Sequence, residues 1–316
     1  MADHAADADA PARRAVVGRL TRAALILSGV GLACAPPVHS GQPLESGQLP
    51  TTWYAGGASC ASTLPLRVHA YNADLFIMRQ AACTSYEKPF LYLLFGRDRA
   101  LLLDTGAGAI DVVTVVDTLT RAWLARNRRA SLDLVVAHSH AHSDHVAGDS
   151  QFVGRARTSV VGRDTASVWA FFGVRQWPTD LGAIDLGARV VDVIPIPGHQ
   201  AASIAFYDRR TGILLTGDTF YPGRLYVRDT TAFAESIDRL AAFVRSHPVT
   251  HMLGAHIENS RTPYKDYVVG TVDQPDEHPL DLGRAQLFEL DSVVRTMRGR
   301  MTRTVLRDLT VWPLER

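Results

Sequence analysis

Residues 138–145 read His-Ser-His-Ala-His-Ser-Asp-His and hold four of the 12 histidines of this 316-residue chain. They follow an apolar run, residues 132–137, that is typical of a buried strand. Imidazole nitrogens and carboxylate oxygens are the ligands that zinc and similar divalent metals prefer. At a turn from strand to helix, His140 and His142 can point into one pocket, while Asp144 and His145 face an adjacent point. The pattern therefore favours a site for two metal ions over an adventitious surface chelator.

Such a site needs further ligands from other loops, and three candidates follow apolar runs downstream. His199 comes after the run and turn at residues 194–198, Asp218 ends the run at 214–217, and His256 ends the run at 252–255. Each position alone suits a structural residue. Together they complete a ligand set at the ends of predicted strands.

The rest of the chain alternates between short apolar runs and amphipathic segments. The helical segments begin with 110–127, whose apolar residues recur at helical spacing, and continue with 231–246 and 282–297. The predicted strands are 89–95, 100–103, 132–137, 189–196, 203–207, 213–216 and 251–254. Strands in two batches, each followed by helices, predict two sheets face to face with helices outside.

These motifs resemble the signature of the metallo-β-lactamase superfamily. The matching residues are His140-x-His142-x-Asp144-His145, Pro197-Gly198-His199, Gly217-Asp218-Thr219, Gly254-Ala255-His256 and, as first motif, Asp104-Thr105-Gly106. They occur in the family's order over roughly residues 65–260. The resemblance implies an α/β fold of the αββα type, with two mixed β-sheets flanked by helices and the metal site at one edge.

The resemblance also implies a role for each matched residue. One metal would take His140, His142 and His199, the other would take Asp144, His145 and His256, and Asp218 would bridge both. Asp104 would orient the ligand loop, because a metal-bound imidazole needs an acceptor on its other nitrogen; a plain turn aspartate is the alternative. The implied cofactors are two divalent ions, with zinc as the first expectation and iron or manganese as alternatives.

The expected activity is hydrolysis of a small ester, thioester or lactone by a metal-bridging hydroxide. Asp144 would relay the proton, and Tyr221 would point its phenol at the substrate oxygen as lactonases of the family do, unless it is a packing residue. Family β-lactamases lack an aspartate at the position of Asp218, so β-lactam hydrolysis is the weaker alternative. A single-iron sulfur dioxygenase and an inactive metal-binding protein are the others. Loop residues 260–279 are expected to cover the site.

The first 34 residues predict an export signal. Arg13 and Arg14 resemble a twin-arginine motif, and an uncharged run of 11 residues follows at 23–33. At about 1.5 Å per residue this run is too short to cross a hydrocarbon core of about 30 Å. Cys34 ends a sequence similar to a lipobox, so a lipid anchor there is the only membrane contact expected. Residues 35–50 would form a flexible tether and 51–316 the catalytic domain, placing the protein in the periplasm, on a membrane or outside the cell.

Composition and charge restrict the partners. The chain is 47% hydrophobic, which excludes a disordered protein, and its net charge of +1 gives no footprint for nucleic acid. A small-molecule substrate is the expected partner. Cys60 and Cys83 form an even pair in an exported chain, and a disulfide between them is a hypothesis against two free buried thiols.

Overall fold

The computed structural model describes residues 43–53, 60, 63–297 and 300–315. The predicted export signal and the start of the predicted tether lie outside these residues. None of the helices in the described part is long and apolar enough to cross a membrane.

The first sheet has six strands in sequence order. Its first four strands form an antiparallel meander, and its last three run parallel to one another. The strands are β1 (Leu66–Asn72), β2 (Leu75–Gln80), β3 (Phe90–Phe95), β4 (Arg99–Leu103), β5 (Asp133–Ala137) and β6 (Thr158–Val160).

The second sheet also has six strands, in the order β13-β12-β10-β9-β8-β7. Strands β10 and β12 are parallel, and the other neighbours are antiparallel. The strands are β7 (Gly182–Asp185), β8 (Val190–Pro195), β9 (Ile204–Asp208), β10 (Ile213–Gly217), β12 (His251–Gly254) and β13 (Asp281–Leu282). A small third sheet, β11-β15-β14, combines β11 (Arg224–Val227) with β14 (Thr304–Val305) and β15 (Thr310–Pro313).

Five α-helices connect these strands within the described residues. They are α1 (Val112–Arg126), α2 (Ser143–Val146), α3 (Thr165–Phe172), α4 (Thr230–Ser246) and α5 (Arg284–Thr296). Side chains of Asp111, Asp164 and Asp229 cap α1, α3 and α4 by accepting from backbone N–H groups of the first turn. The predicted helices at 110–127, 231–246 and 282–297 are confirmed, with ends that differ by at most two residues.

Three apolar layers hold these elements together. Strand β4 shows how alternation divides them, since Leu101 and Leu103 pack between the two sheets while Leu102 packs on the outer face. Helix α1 covers that outer face, and helices α4 and α5 cover the outer face of the second sheet. The order helix, sheet, sheet, helix is the αββα sandwich that the sequence predicts.

Strand direction explains where the site lies. Strands β4 and β5 are parallel, and β8 and β10 run the same way because both are antiparallel to β9. Strand β12 is parallel to β10. Their carboxyl ends therefore share an edge within each sheet, and each is followed by residues of the predicted ligand motifs.

The predicted tether needs a correction for residues 43–50. This segment has no regular secondary structure, but the Glu45 carboxylate lies 2.6 Å from Arg210 Nε, and Gln48 N–H donates to the carbonyl of Tyr71. Leu49 packs against the core between the sheets. Local composition predicted flexibility, but these contacts with Tyr71 in β1 and with Arg210 in the turn between β9 and β10 attach the segment to the domain.

Candidate metal centre

Three histidines form the first of two ligand clusters at the edge of the sandwich. His140 Nε2 and His199 Nε2 each lie 2.9 Å from His142 Nδ1. His140 and His142 come from the turn after β5, and His199 comes from the turn after β8. The three nitrogens lie within 4.8 Å of one another, which is close enough to bind one ion.

The second cluster contains two histidines and two aspartates: Asp144, His145, Asp218 and His256. Asp144 Oδ2 is 3.2 Å from His145 Nε2 and 3.2 Å from His256 Nε2. The short helix α2 carries Asp144 and His145, while His256 follows β12.

Asp218 lies between the two clusters. Its Oδ1 is 3.4 Å from both His145 Nε2 and His256 Nε2. Its Oδ2 is 3.7 Å from His140 Nε2 and 3.5 Å from His199 Nε2. One carboxylate thus presents one oxygen to each cluster, as a bridging ligand would.

The backbone that precedes Asp218 requires a glycine. Gly217 has φ +52°, and a Cβ there would lie 2.7 Å from Ser139 Cβ in the other ligand turn. The close approach of these two turns brings Asp218 beside His140 and His145, so a larger residue at 217 would separate the ligands.

The outer ring nitrogens are held by the protein. His199 Nδ1 lies 2.7 Å from the carbonyl of Tyr226, and His256 Nδ1 lies 2.9 Å from the carbonyl of Glu87. Because a carbonyl only accepts, each Nδ1 carries a proton, and each Nε2 is the nitrogen that faces its cluster.

Asp104 holds the second cluster from behind. It is buried at the end of β4, with Oδ2 2.9 Å from His145 Nδ1. The backbone N–H and the hydroxyl of Ser139 donate to the same carboxylate, at 2.7 and 2.9 Å. Its backbone is left-handed, φ +65°, a conformation that aspartate adopts more readily than most residues. The contacts are those expected of a residue that orients the ligand turn.

Burial keeps the first cluster neutral. It lowers the pKa of His140 well below the ordinary value and lowers that of His142 to about 4, and neighbouring imidazoles lower both further. Burial also lowers the pKa of His199. Neutral imidazoles are the form that binds metal.

The second cluster is short of positive charge. Burial alone would lower the pKa of His145 and of His256. The carboxylate of Asp218 and its acidic neighbours outweigh burial, so the pKa of His145 is raised and that of His256 is raised to about 9. In the protein alone, protons on these rings supply the charge that the carboxylates attract, and a divalent cation would replace them.

The residues present fit two divalent cations. Asp218 Oδ1 is buried and has no hydrogen-bond partner among the described residues. Nitrogens of five imidazoles and oxygens of two carboxylates converge on the clusters, and burying so many acceptors is unfavourable unless protons or cations neutralise them. All seven predicted ligands are thus brought together: His140, His142, Asp144, His145, His199, Asp218 and His256.

The expectation for Tyr221 is corrected. Its hydroxyl donates to the carbonyl of Arg224, and its oxygen lies 3.2 Å from Glu258 Oε2. A phenol has one proton to donate, so none is directed at a substrate oxygen. Its ring packs edge-on against His256, with centroids 5.7 Å apart, so Tyr221 supports a ligand.

Sequence reasoning missed Tyr226. Its hydroxyl accepts from Arg224 Nε at 3.1 Å, which leaves its own proton available, and no acceptor for that proton lies among the described residues. A cavity of about 180 Å³, called the metal cavity below, exposes Tyr226, Glu87 and Arg228 together with ligands of both clusters. Tyr226 carries no motif, and only the placement of β11 beside His199 identifies it.

A family model described as the metallo-beta-lactamase superfamily matches residues 89–255, more than half of the chain. This chain belongs to the metallo-beta-lactamase superfamily. The matched region runs from β3 to the end of β12 and includes every ligand except His256, which follows it directly.

Two curated proteins are similar to about half of this chain. A hydroxyacylglutathione hydrolase of Chromohalobacter salexigens is 29% identical over 164 residues, covering 50% of this chain and 59% of that protein. The acyl-coenzyme A thioesterase MBLAC2 of Bos taurus is 28% identical over 195 residues, covering 52% of this chain and 70% of that protein. The match to the first relative thus spans under two thirds of its length.

The metallo-beta-lactamase from Pontibacter korlensis superposes with a TM-score of 0.49 and 17% identity, over 73% of this chain and 99% of that chain.

Proposed function

We propose that this protein is a metal-dependent hydrolase of a small ester, thioester or lactone, with two divalent ions at its centre. The observation that carries the proposal is Asp218, whose two oxygens face separate clusters and whose buried Oδ1 has no hydrogen-bond partner among the described residues. A carboxylate in this position suits two adjacent cations better than one.

The proposed ligands divide as the clusters do. His140, His142 and His199 would hold one ion, Asp144, His145 and His256 the other, and Asp218 both. A set rich in imidazole suits zinc best, with iron and manganese as alternatives. When bound, such ions lower the pKa of water and polarise a substrate carbonyl.

The remaining chemistry belongs to side chains of the metal cavity. The Asp144 carboxylate would take up a proton and pass it to the leaving group. The Tyr226 phenol would donate its free proton to the substrate oxygen. Glu87 and Tyr226 would also keep His256 and His199 in the correct tautomer through their backbone carbonyls.

The relatives support a thioester among the three bond types. One is named a hydroxyacylglutathione hydrolase and another an acyl-coenzyme A thioesterase. For this chain the scissile bond remains a proposal.

Export is the second part of the proposal. The charged and apolar pattern of residues 1–34 supports a signal, with Cys34 as a lipid-anchor site, and supports a location in the periplasm, on a membrane or outside the cell. The Cys60–Cys83 disulfide, with Cα atoms 5.6 Å apart, also supports an oxidising compartment.

Metal analysis of the purified protein, with thioester, lactone and β-lactam substrates tested in parallel, examines the function. We expect two equivalents of zinc and turnover of a thioester or lactone. Asp218→Asn should lower both metal content and rate, whereas Asp133→Asn, the same change in a solvent-exposed ion pair, should alter neither.

Three results would contradict the proposal. Fewer than two equivalents of bound metal per chain, with iron as the main metal, would favour the sulfur dioxygenase. Turnover of nitrocefin alone among the substrates would favour a β-lactamase. Full metal content without any turnover would favour a binding protein.

A further inference from the structure

A second cavity, of about 240 Å³, opens beside the metal cavity. We call it the side cavity. The two share Glu87, Tyr226 and Glu258 in their walls. A substrate whose reacting carbonyl lies at the metal clusters can therefore extend into the side cavity.

The cations in the side-cavity wall already have anionic partners. Arg224 Nη2 lies 2.9 Å from Glu258 Oε1, and its Nη1 lies 2.7 Å from Asp266 Oδ2. Lys88 Nζ lies 3.4 Å from the buried carboxylate of Glu277. An anionic substrate group would have to compete with these carboxylates.

The hydrogen-bond acceptors in the same wall are less satisfied. The Glu87 carboxylate makes no ion pair within the described part of the chain. Gln274 is only 6% exposed, and its Oε1 has no hydrogen-bond partner among the described residues. Its Nε2 donates to the carbonyl of Thr271 at 2.9 Å, so the amide atom without a partner is the acceptor Oε1. The Glu87 carboxylate and Gln274 Oε1 are therefore acceptors in this wall that a donor or a cation on the substrate could approach.

The rim of the side cavity is aromatic and apolar. Tyr86 and Tyr226 lie in its wall, and Val268 and Val269 are 80% and 59% exposed beside them. Aromatic faces with a nearby carboxylate attract cations, and methyl groups on a cationic nitrogen pack well on valine.

We propose that the side cavity binds a cationic nitrogen of the substrate, either a protonated amine or a quaternary ammonium group. Glu87 supplies the charge, Tyr86 and Tyr226 supply ring faces, and a protonated amine also donates to Gln274 Oε1. The substrate is then an ester, thioester or lactone with an ammonium group a few bonds from its carbonyl. This inference relies on the proposed function for the scissile bond but not for ammonium binding.

The first test measures binding to the metal-loaded full chain by isothermal titration calorimetry. Choline and 3,3-dimethylbutanol have the same shape and differ in the charge of one atom. We expect choline to bind at least about tenfold more tightly. Glu87→Gln should remove most of that difference, and Glu235→Gln, the same change on the exposed face of α4, should preserve it. Equal binding of the two probes, or a difference that survives Glu87→Gln, would overturn the inference.

The second test compares kcat/KM for acetylthiocholine and S-(3,3-dimethylbutyl) thioacetate. We expect a ratio above about ten that falls toward one in Glu87→Gln. Turnover of both thioesters at equal rates would overturn the inference and leave the hydrolase standing. Choline binding that depends on Glu87, without turnover of any ester, thioester or lactone, would overturn the hydrolase and leave the inference standing.

Discussion

Each ligand histidine whose outer nitrogen meets a backbone carbonyl has only one nitrogen left for a metal. His199 and His256 are fixed in this way by Tyr226 and Glu87. The side chains of the same two residues line the metal cavity. Each residue therefore orients a ligand with its backbone and shapes the substrate site with its side chain.

The two tyrosines after Asp218 should differ in catalysis. We expect Tyr226→Phe to lower kcat roughly 10- to 100-fold, because it removes the free phenol proton in the metal cavity. Tyr221→Phe should lower kcat much less and cost about 0.5–1.5 kcal/mol of stability, because its hydroxyl donates within the protein. Steady-state kinetics and urea unfolding of both variants check this. Equal losses of kcat would contradict the assignment.

At the scale of elements, buried charges attach the chain between β12 and β13 to the first sheet. Arg79 of β2 is fully buried and lies 2.5 Å from Glu277 through Nη1, and its Nη2 donates to the other carboxylate oxygen at 2.7 Å. Lys88, just before β3, approaches the same carboxylate. Removing one partner of such a pair costs more than the pair contributes, since it leaves a charge unpaired and buried. These contacts hold the wall of the side cavity in place.

Lys88 should make stability depend on alkaline pH. Burial lowers its pKa to about 8, with Glu277 partly offsetting this and Arg79 adding to it, whereas the unfolded chain keeps the ordinary value of 10.5. Between pH 8 and 10.5 the unfolded state therefore binds more protons, and the contribution of Lys88 to stability rises with pH. Below pH 8 both states are charged and the burial penalty is complete.

Comparison with Lys88→Met isolates this contribution, because methionine keeps the length of the side chain without the charge. Urea unfolding at several pH values should show wild-type stability rising relative to the variant from pH 8 upward. If the free energies of unfolding of the wild type and the variant change with pH in parallel, the Lys88 amine does not have the lowered pKa of a buried group.

At the scale of the whole molecule, the segment before β1 is part of the domain. Trp53 is buried and packs edge-on against Phe90, with centroids 5.1 Å apart, while Glu45 and Gln48 reach Arg210 and Tyr71. The segment thus touches both sheets.

Truncation tests this boundary. A chain that begins at Pro43 should match the stability of the longer chain. One that begins at Thr51 should lose about 1–3 kcal/mol, because it lacks the packing of Leu49 and two backbone hydrogen bonds. Thermal unfolding measures both. Equal stability of the two truncated chains would mean that the flexible tether extends to residue 50, as the sequence predicts.

Most of the fold was predicted from local sequence patterns, namely apolar runs and helical spacing. Strands β3 to β5 and β8 to β10 are continuous apolar runs, and α1 and α4 have helical spacing, so each could be identified without its neighbours. Strands β1 and β2 were missed because Arg67, His69 and Arg79 interrupt their apolar pattern. The fully buried Arg79 is explained by its ion pair with Glu277, 198 residues away, and by its hydrogen bond to the carbonyl of Trp53.

The sequence by itself predicted the candidate ligands that the structure brings together, because each lies in a short motif at the end of a strand, and strand direction brings those ends together. The tertiary structure decided which atoms remain free. Tyr221 and Tyr226 are five residues apart and both contact Arg224. Tyr221 donates its phenol proton to the carbonyl of Arg224, whereas Tyr226 accepts from the guanidinium of Arg224 and keeps its own proton free. The side cavity likewise combines residues 86–88, 224–226, 257–258 and 268–274, whose unsatisfied acceptors no local pattern records.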